Sequence, residues 1–355
     1  MAKTFVGEDS VVIDKYIYSQ FIPYTSLQPI VSPLLSNLNK PIINVFIDLY
    51  SMTIPLYQFY NYINPLSLTS CFANAAIHYR NFFRKYNVYT NVFLLYSPTM
   101  SANNLRYCPE YNMKNIETMF KNQEVKQLVD QNLELLGTVS PYLPDIFFRI
   151  GTVETAIMAT DMMLQFAVRG FDTNALFVTS SPIAFQIPTI YPKAFVFCKR
   201  HNGNVMVVDK SNALSSAIEY TRNQIVDASN IDQSWVSGYY TLCGLSKREV
   251  KSLTSYKTAL KVFDNMMIKA DTMNPDSLYI EFMNCYNGKN KDPKKILDQI
   301  HNRFRCFDFK QQLLMYQQLP EYKETAYLSQ LQDWEELLHL NDRYFKDNPM
   351  QLDLL

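Results

Sequence analysis

The chain has 355 residues, of which 48% are hydrophobic and 19% are charged, so it can bury at least one large core. Lysine and arginine together number 33, as do aspartate and glutamate, so no overall charge attracts nucleic acid, although a local basic patch still could. The sequence has 8 glycines and neither a GxxxxGKS/T nor a GxGxxG motif, which disfavours enzymes that bind nucleotides through glycine-rich loops.

The cysteines and histidines give no signal for a metal or nucleophilic site. The 6 cysteines are dispersed, with no CxxC pair and no histidine at zinc-ligand spacing, which predicts reduced thiols. The 4 histidines are separate from any recognisable nucleophile motif. The start of the chain lacks the layout of a signal peptide, and no apolar run reaches the length of a membrane span. We therefore expect no membrane contact and a location in the cytoplasm or inside a particle.

The first part of the chain predicts an arm followed by α/β structure. Residues 1–40 contain prolines at positions 23, 29 and 33 and are predicted to form an extended arm on a neighbouring surface. A buried strand is predicted over 41–48, and its final residue, Asp48, is either a functional carboxylate or a cap for the following turn. The pattern then predicts a helix over 66–86, a buried strand over 91–96 that ends before Ser97, and a helix over 116–136.

A helix and a strand between residues 152 and 186 form the centre of the predicted sheet domain. The helix carries Glu154 and Asp161, and the buried strand over 175–178 ends in Thr179, Ser180 and Ser181. Polar residues at the end of a buried strand are typical of the carboxyl edge of a parallel sheet, where α/β proteins place their chemistry.

The second half of the chain predicts mostly helices. Residues 195–197 and 205–208, separated by an Asn-Gly turn, predict a hairpin or a fourth and fifth strand. Strand signals then stop, and helices are predicted over 211–223, 232–242, 246–253, 257–270, 293–304 and 310–342. The predicted fold class is α/β, with a parallel sheet followed by a helical half.

Four short motifs, in the right order, resemble the 5′-nuclease family of flap endonucleases, phage 5′ exonucleases and the nuclease domain of bacterial DNA polymerase I. Residues 109–111 resemble its PEYK block, 151–157 its GxxEADD block and 178–187 its VSxDxDxxQL block, while LCG at 242–244 and KTA at 257–259 resemble its helix-hairpin-helix. The resemblance implies a PIN-like parallel-sheet domain, a helix-hairpin-helix remnant and a helical C-terminal extension. It divides the chain into residues 1–40, 41–210, 211–270 and 271–355.

The resemblance also implies that the catalytic site is degenerate. The family hydrolyses a phosphodiester with two metal ions held by carboxylates, because hard divalent ions prefer oxygen ligands. Matched to that pattern, the chain keeps Asp48 and Glu154, and other residues stand at the remaining acidic positions: Ser97 or Tyr96, Ala156, Ile157, Ser181, Ile183, Leu245 and Arg248. Apolar side chains cannot coordinate a metal, so we expect no two-metal hydrolysis and no resident cofactor. A weak magnesium site formed by Asp48, Glu154 and Asp161 is the alternative.

The hairpin is where the resemblance implies contact with DNA. Its turn, residues 251–256, has no glycine and is shorter than the family pattern, but basic residues remain clustered around it: Lys247, Arg248, Lys251, Lys257 and Lys261. These lysines and this arginine form either a surface that follows phosphates or an ordinary solvated helix face.

Three functional hypotheses follow from the sequence. The first is an inactive 5′-nuclease-like protein retained as a DNA-binding or assembly component, in a phage or viral assembly that handles DNA. The second is a structural subunit whose aromatic faces, arm and C-terminal helices over 322–355 bind protein partners only. The third is a residual one-metal nuclease that uses Asp48, Glu154 and Asp161.

Overall fold

A computed structural model describes the greater part of the chain. The described residues are 27, 30–32, 42–53, 65–97, 108, 123–143, 145–151, 153–200, 205–245, 250–286 and 292–318. The predicted arm lies outside them except at four positions, and the helical prediction beyond residue 318 lies outside them entirely. Residues 30–32 are helical, and Leu27, Ile30 and Val31 are buried in the core, so this part of the arm prediction differs from the structure.

The described strands form one sheet whose members are β1 Ile42–Asp48, β2 Tyr89–Tyr96, β3 Ile146–Ile150, β4 Asn174–Thr179, β5 Ala194–Lys199 and β6 Val205–Val208. Their order across the sheet is β3-β2-β1-β4-β5-β6. The first five strands are parallel, and β6 pairs antiparallel with β5, as the hairpin prediction required. The predicted strands at β1, β2 and β4 are confirmed, whereas β3 was not predicted.

The described helices are α1 Leu49–Thr53, α2 Pro65–Arg84, α3 Gln123–Val139, α4 Thr155–Val168, α5 Ile187–Ile190, α6 Ala213–Arg222, α7 Val236–Cys243, α8 Tyr256–Ile268, α9 Pro275–Cys285, α10 Pro293–Phe307 and α11 Phe309–Gln317. Short 3-10 helices cover Ser140–Tyr142 and Pro182–Gln186. The predicted class, a parallel α/β sheet followed by a helical half, is confirmed. None of the described helices is both long and apolar enough to span a bilayer.

The sheet separates two hydrophobic cores, because successive side chains of a strand point to opposite faces. On β1, Val45 and Ile47 face the core that α2 and α3 cover, while Phe46 faces the core that α4 and the C-terminal helices cover. Both faces of the sheet are therefore buried. This explains why residues 45–47 of β1 and 92–96 of β2 are apolar without alternating with polar residues.

Side-chain caps set the starts of the C-terminal helices. Ser255, Asn274, Asp292 and Asp308 each accept a hydrogen bond from a backbone N–H in the first turn of the helix that follows. Asp308 begins α11 directly after α10 ends. The predicted helix over 246–253 is wrong for residues 250–253, where Val250 pairs with Leu245 in an antiparallel bridge.

Candidate functional site

The topological switch point of the sheet lies between β1 and β4, where the strand order reverses. In open α/β sheets this is the position at which ligands commonly bind, outside the carboxyl ends of the strands. Asp48 ends β1 and Thr179 ends β4, and the two strands are direct neighbours. The two residues are therefore placed where the sequence predicted chemistry.

Asp48 is 2% exposed, and both of its carboxylate oxygens accept hydrogen bonds from the protein. Its Oδ1 accepts from the Ser51 backbone N–H at 3.1 Å, and its Oδ2 accepts from Thr179 Oγ1 at 2.7 Å and from Ser51 Oγ. The bond to the Ser51 N–H is the geometry of a cap on the turn after β1. The carboxylate thus joins α1 to the end of β4.

The polar end of β4 completes this network. Ser180 Oγ donates to the Ser51 carbonyl at 2.7 Å, and the Ser180 N–H donates to Ser51 Oγ at 3.3 Å. Ser51 Oγ and Thr179 Oγ1 lie 2.9 Å apart, so either hydroxyl could donate to the other in place of its bond to the carboxylate. We call Asp48, Ser51, Thr179 and Ser180 the Asp48 cluster. Its hydrogen bonds link the carboxyl ends of β1 and β4 through side chains of the protein itself.

The other two candidate carboxylates, Glu154 and Asp161, lie on α4. Glu154 occupies the N-cap position, is mostly buried and makes no side-chain capping bond. A hydrogen bond with Cys108 and burial raise the pKa of the Cys306 thiol, and electrostatic interactions with Cys108 and then Glu154 add to this effect. Asp161 is fully buried, and its Oδ1 accepts from Gln317 Nε2 at 2.8 Å, so it connects α4 to α11.

Asp48, Glu154 and Asp161 do not come together as a metal-binding group. In the part of the chain that the structure describes, no three His, Cys, Asp or Glu side chains are arranged to hold a metal ion. At the other positions where the resemblance implies acids, the described residues are buried: Ser97, Ala156, Ile157, Ser181, Ile183 and Leu245. Arg248 lies outside the described residues. Ala156, Ile157 and Ile183 belong to the core on the α4 side of the sheet, where they pack and cannot coordinate.

The hairpin region joins α7 to α8. Gly244 follows α7 with φ +66°, and a Cβ there would lie 2.2 Å from the Val250 carbonyl oxygen, so only glycine fits this close approach. The Leu253 N–H donates to the Leu242 carbonyl at 2.8 Å, which returns the chain to the end of α7. These contacts hold the start of α8 next to the end of α7.

Three of the five basic residues predicted to bind DNA are described, and all three are exposed: Lys251, Lys257 and Lys261. Lys257 and Lys261 lie one turn apart on α8 and therefore on the same side of the helix. We call these three lysines the basic face. Lys247 and Arg248 lie outside the described residues.

Arg222, which the sequence analysis did not single out, lies beside the basic face. It ends α6 and lines a pocket of about 590 Å³ together with Thr221, Cys243, Gly244, Val250, Lys251 and Ser252. The sequence signal was weak, because a basic residue in the last turn of a helix is common and has an ordinary structural explanation.

No protein-family model and no curated protein matches the chain. Among solved structures, the chain is similar to a pseudo-enzyme–product complex of the bacteriophage T5 flap endonuclease with DNA and metal ions, with 15% identity and a TM-score of 0.48. That alignment covers 84% of this chain and 99% of the other. The chain is also similar to T5 5′-exonuclease with bound zinc, with 16% identity and a TM-score of 0.45. This second alignment covers 86% of this chain and 97% of the other.

Proposed function

We propose that the chain is an inactive 5′-nuclease-like protein that binds DNA through the basic face, within a phage or viral assembly that handles DNA. The observation that carries the proposal is the use of Asp48. This carboxylate ends β1 at the switch point, yet its oxygens are occupied by Ser51 and Thr179 in a buried network.

Catalysis by two metal ions requires several oxygen ligands that face one cavity. A cation at Asp48 would have to displace the hydrogen bonds from Ser51 and Thr179. Ala156, Ile157 and Ile183, which stand where the resemblance implies further acids, are buried and apolar and cannot serve as ligands. Among the described residues, no group of His, Cys, Asp or Glu side chains offers additional ligands that would offset the cost of breaking the network, which supports loss of hydrolysis.

The basic face retains features of a phosphate-binding surface. Lys257 lies in the first turn of α8, which contains no acidic residue, so its charge opposes the positive end of the helix dipole. A bound phosphate would offset this unfavourable placement, because helix N-termini attract anions. Asp264 is also exposed, three residues after Lys261, and it weakens the positive potential at that end of the face. The strongest attraction is therefore expected near Lys251 and Lys257.

A DNA mobility shift tests the proposal. Wild-type protein should shift single-stranded and 5′-flap DNA at low salt, and the shift should weaken as salt rises. The slope of log K against log salt is negative, and Lys257→Gln should make it less steep by about 0.7 on single strands, because one phosphate contact is lost. Lys193→Gln is the control, since Lys193 is exposed, precedes β5 at the amino end of that strand and is paired with Asp172 at 2.6 Å.

Two results would contradict this proposal. If no DNA is shifted at low salt, the hypothesis of a subunit that binds only proteins is favoured. If purified protein cleaves flap DNA with magnesium or manganese, and Asp48→Ala prepared in parallel does not, the residual nuclease is established. We expect neither cleavage nor thermal stabilisation by these ions at matched ionic strength.

A further inference from the structure

The pocket beside α6 contains an arginine without an acidic partner among the described residues. Arg222 contacts the Tyr239 hydroxyl and the Cys243 sulfur through hydrogen bonds, and its Nε is buried with no hydrogen-bond partner there. The acid three residues earlier, Glu219, is a natural partner for it on the same helix. Glu219 is instead paired with Arg200 at 2.7 Å. Among the described residues, no carboxylate therefore neutralises the charge of Arg222.

The two groups that interact with Arg222, Tyr239 and Cys243, are neutral at physiological pH. Burial raises the pKa of Cys243 to about 12, and burial also raises the pKa of Tyr239 above its ordinary value. Burial acts to lower the pKa of Arg222, but its hydrogen bonds to Tyr239 and Cys243 outweigh that effect and keep the guanidinium protonated. Neither neighbour therefore cancels the positive charge.

A second cation, Lys251, lines the same pocket, and its side chain is exposed. No aspartate or glutamate is found among the described lining residues. Ser252 is exposed at the rim and supplies a hydroxyl that can donate a hydrogen bond. The described part of the pocket thus carries two positive charges and polar donors without a compensating negative charge.

The pocket wall is held in place by backbone contacts. Leu245 and Val250 exchange two backbone hydrogen bonds, of 3.0 and 3.2 Å. The Lys251 carbonyl accepts from Arg303 Nη1 at 2.7 Å, and the close packing at Gly244 leaves no room for a side chain. A site that is already ordered loses little conformational entropy when it binds an anion.

We infer that this pocket binds a phosphate group, with Arg222 and Lys251 as charged donors and Ser252 as a neutral donor. The guanidinium offers several N–H groups in one plane, which suits the oxygens of a phosphate. The pocket volume of about 590 Å³ exceeds that of a bare phosphate and leaves room for an attached sugar. The inference rests on the proposed function only for the source of the phosphate, which would be the DNA backbone.

Calorimetric titration with inorganic phosphate and with pyrophosphate tests the site directly. Arg222→Gln should weaken binding about 10- to 100-fold, as expected for loss of a charge-assisted hydrogen bond, and Arg222→Lys should lie between it and the wild type. Lys193→Gln should bind as the wild type does. Equal affinity in wild type and a folded Arg222→Gln variant would overturn the inference, as would equal binding of acetate at the same ionic strength.

Lys251→Gln provides a second test that does not disturb the buried hydrogen bonds of Arg222. Because the Lys251 side chain is exposed, this variant should fold normally and should weaken phosphate binding about 3- to 10-fold. Urea unfolding of each variant establishes that the protein is folded. Unchanged phosphate affinity in folded Lys251→Gln would show that Lys251 does not bind the phosphate, which would contradict the inference.

Oligonucleotides separate the possible sources of the phosphate. If the pocket holds a backbone phosphate, Arg222→Gln should weaken binding of 5′-hydroxyl and 5′-phosphate oligonucleotides equally. If it holds a terminal phosphate, only the 5′-phosphate oligonucleotide should be affected. Arg222-dependent phosphate binding without any DNA shift would support the pocket and contradict the proposed function. DNA binding that depends on Lys257 but not on Arg222, with no phosphate binding, would support the proposed function and contradict the phosphate pocket.

Discussion

Replacing Asp48 tests whether this carboxylate is structural or belongs to a catalytic site. In Asp48→Ala, the Ser51 N–H, the Ser51 hydroxyl and the Thr179 hydroxyl all lose an acceptor in a region that is almost fully buried. Hydrogen bonds to charged groups contribute about 1.5–3 kcal/mol each, but neighbouring contributions are not additive. Ser51 and Thr179 can still bond to each other, so we expect a loss of about 3 kcal/mol of unfolding free energy.

Urea unfolding followed by circular dichroism measures this loss, and Asp298→Ala is the matched control. Asp298 is an exposed residue of α10, so its replacement should change stability by less than about 0.5 kcal/mol. Asp48→Asn should cost less than Asp48→Ala, because the amide keeps one acceptor oxygen and its NH₂ group can donate to the two hydroxyls.

The opposite result would refute the structural role. Carboxylates gathered for a metal pair repel one another when the metal is absent, so removing one from such a site is neutral or stabilising. An Asp48→Ala variant as stable as the wild type, or more stable, would therefore contradict a structural Asp48 cluster. Stabilisation of the wild type by manganese, lost in that variant, would indicate a metal site.

Three further predictions concern other parts of the chain. Gly244→Ala should destabilise the protein by more than about 2 kcal/mol in urea unfolding, because its Cβ would collide with the Val250 carbonyl at a positive φ. Burial, then the charge of Lys85, lowers the pKa of His78 below 6.5, so the unfolded state takes up a proton first as pH falls. Stability should decline below pH 6.5, and His78→Gln should reduce that decline in unfolding measured from pH 7.5 to 5. Of the six free thiols, only that of Cys285 is not buried, so one thiol should react rapidly with Ellman's reagent, and Cys285→Ser should abolish the rapid phase.

Much of the sheet could be predicted from the sequence because its central strands are buried on both faces. The apolar runs at 45–47, 92–96 and 175–178, within β1, β2 and β4, are typical of strands that are buried on both faces. The strand β3 has only five residues, and its burial decreases along its length, so it lacks that signal. It lies at the edge of the sheet, where one side of the strand has no neighbouring strand.

The site could be predicted only in part, because the sequence shows local partners and not distant ones. The spacing of Asp48 and Ser51 is compatible with a cap, but the bond to Thr179 joins residues 131 positions apart. Arg222 was missed for a related reason. A helical arginine three residues after Glu219 is normally interpreted as an ion pair, and only the tertiary structure assigns Glu219 to Arg200.

The positions of the helices indicate a structural role for Asp48. The Asp48 cluster fixes Ser180 against α1, and the carbonyls of Ser180 and Pro182 accept hydrogen bonds from α6 and α7. Tyr220 on α6 donates to the Ser180 carbonyl at 3.3 Å, and Tyr240 on α7 donates to the Pro182 carbonyl at 2.8 Å. α6 ends in Arg222, and α7 leads through the hairpin into the basic face.

This connection distinguishes Asp48 from Ala156 and Ile157. A carboxylate at Asp48 still orders the loop on which α6 and α7 rest, so replacing it carries a structural cost even when no metal is bound. Ala156 and Ile157 have no such role, and as apolar residues they add to the core beneath α4. Under the proposed function, Asp48 therefore supports the helices that lead to the basic face, whereas Ala156 and Ile157 contribute only to packing.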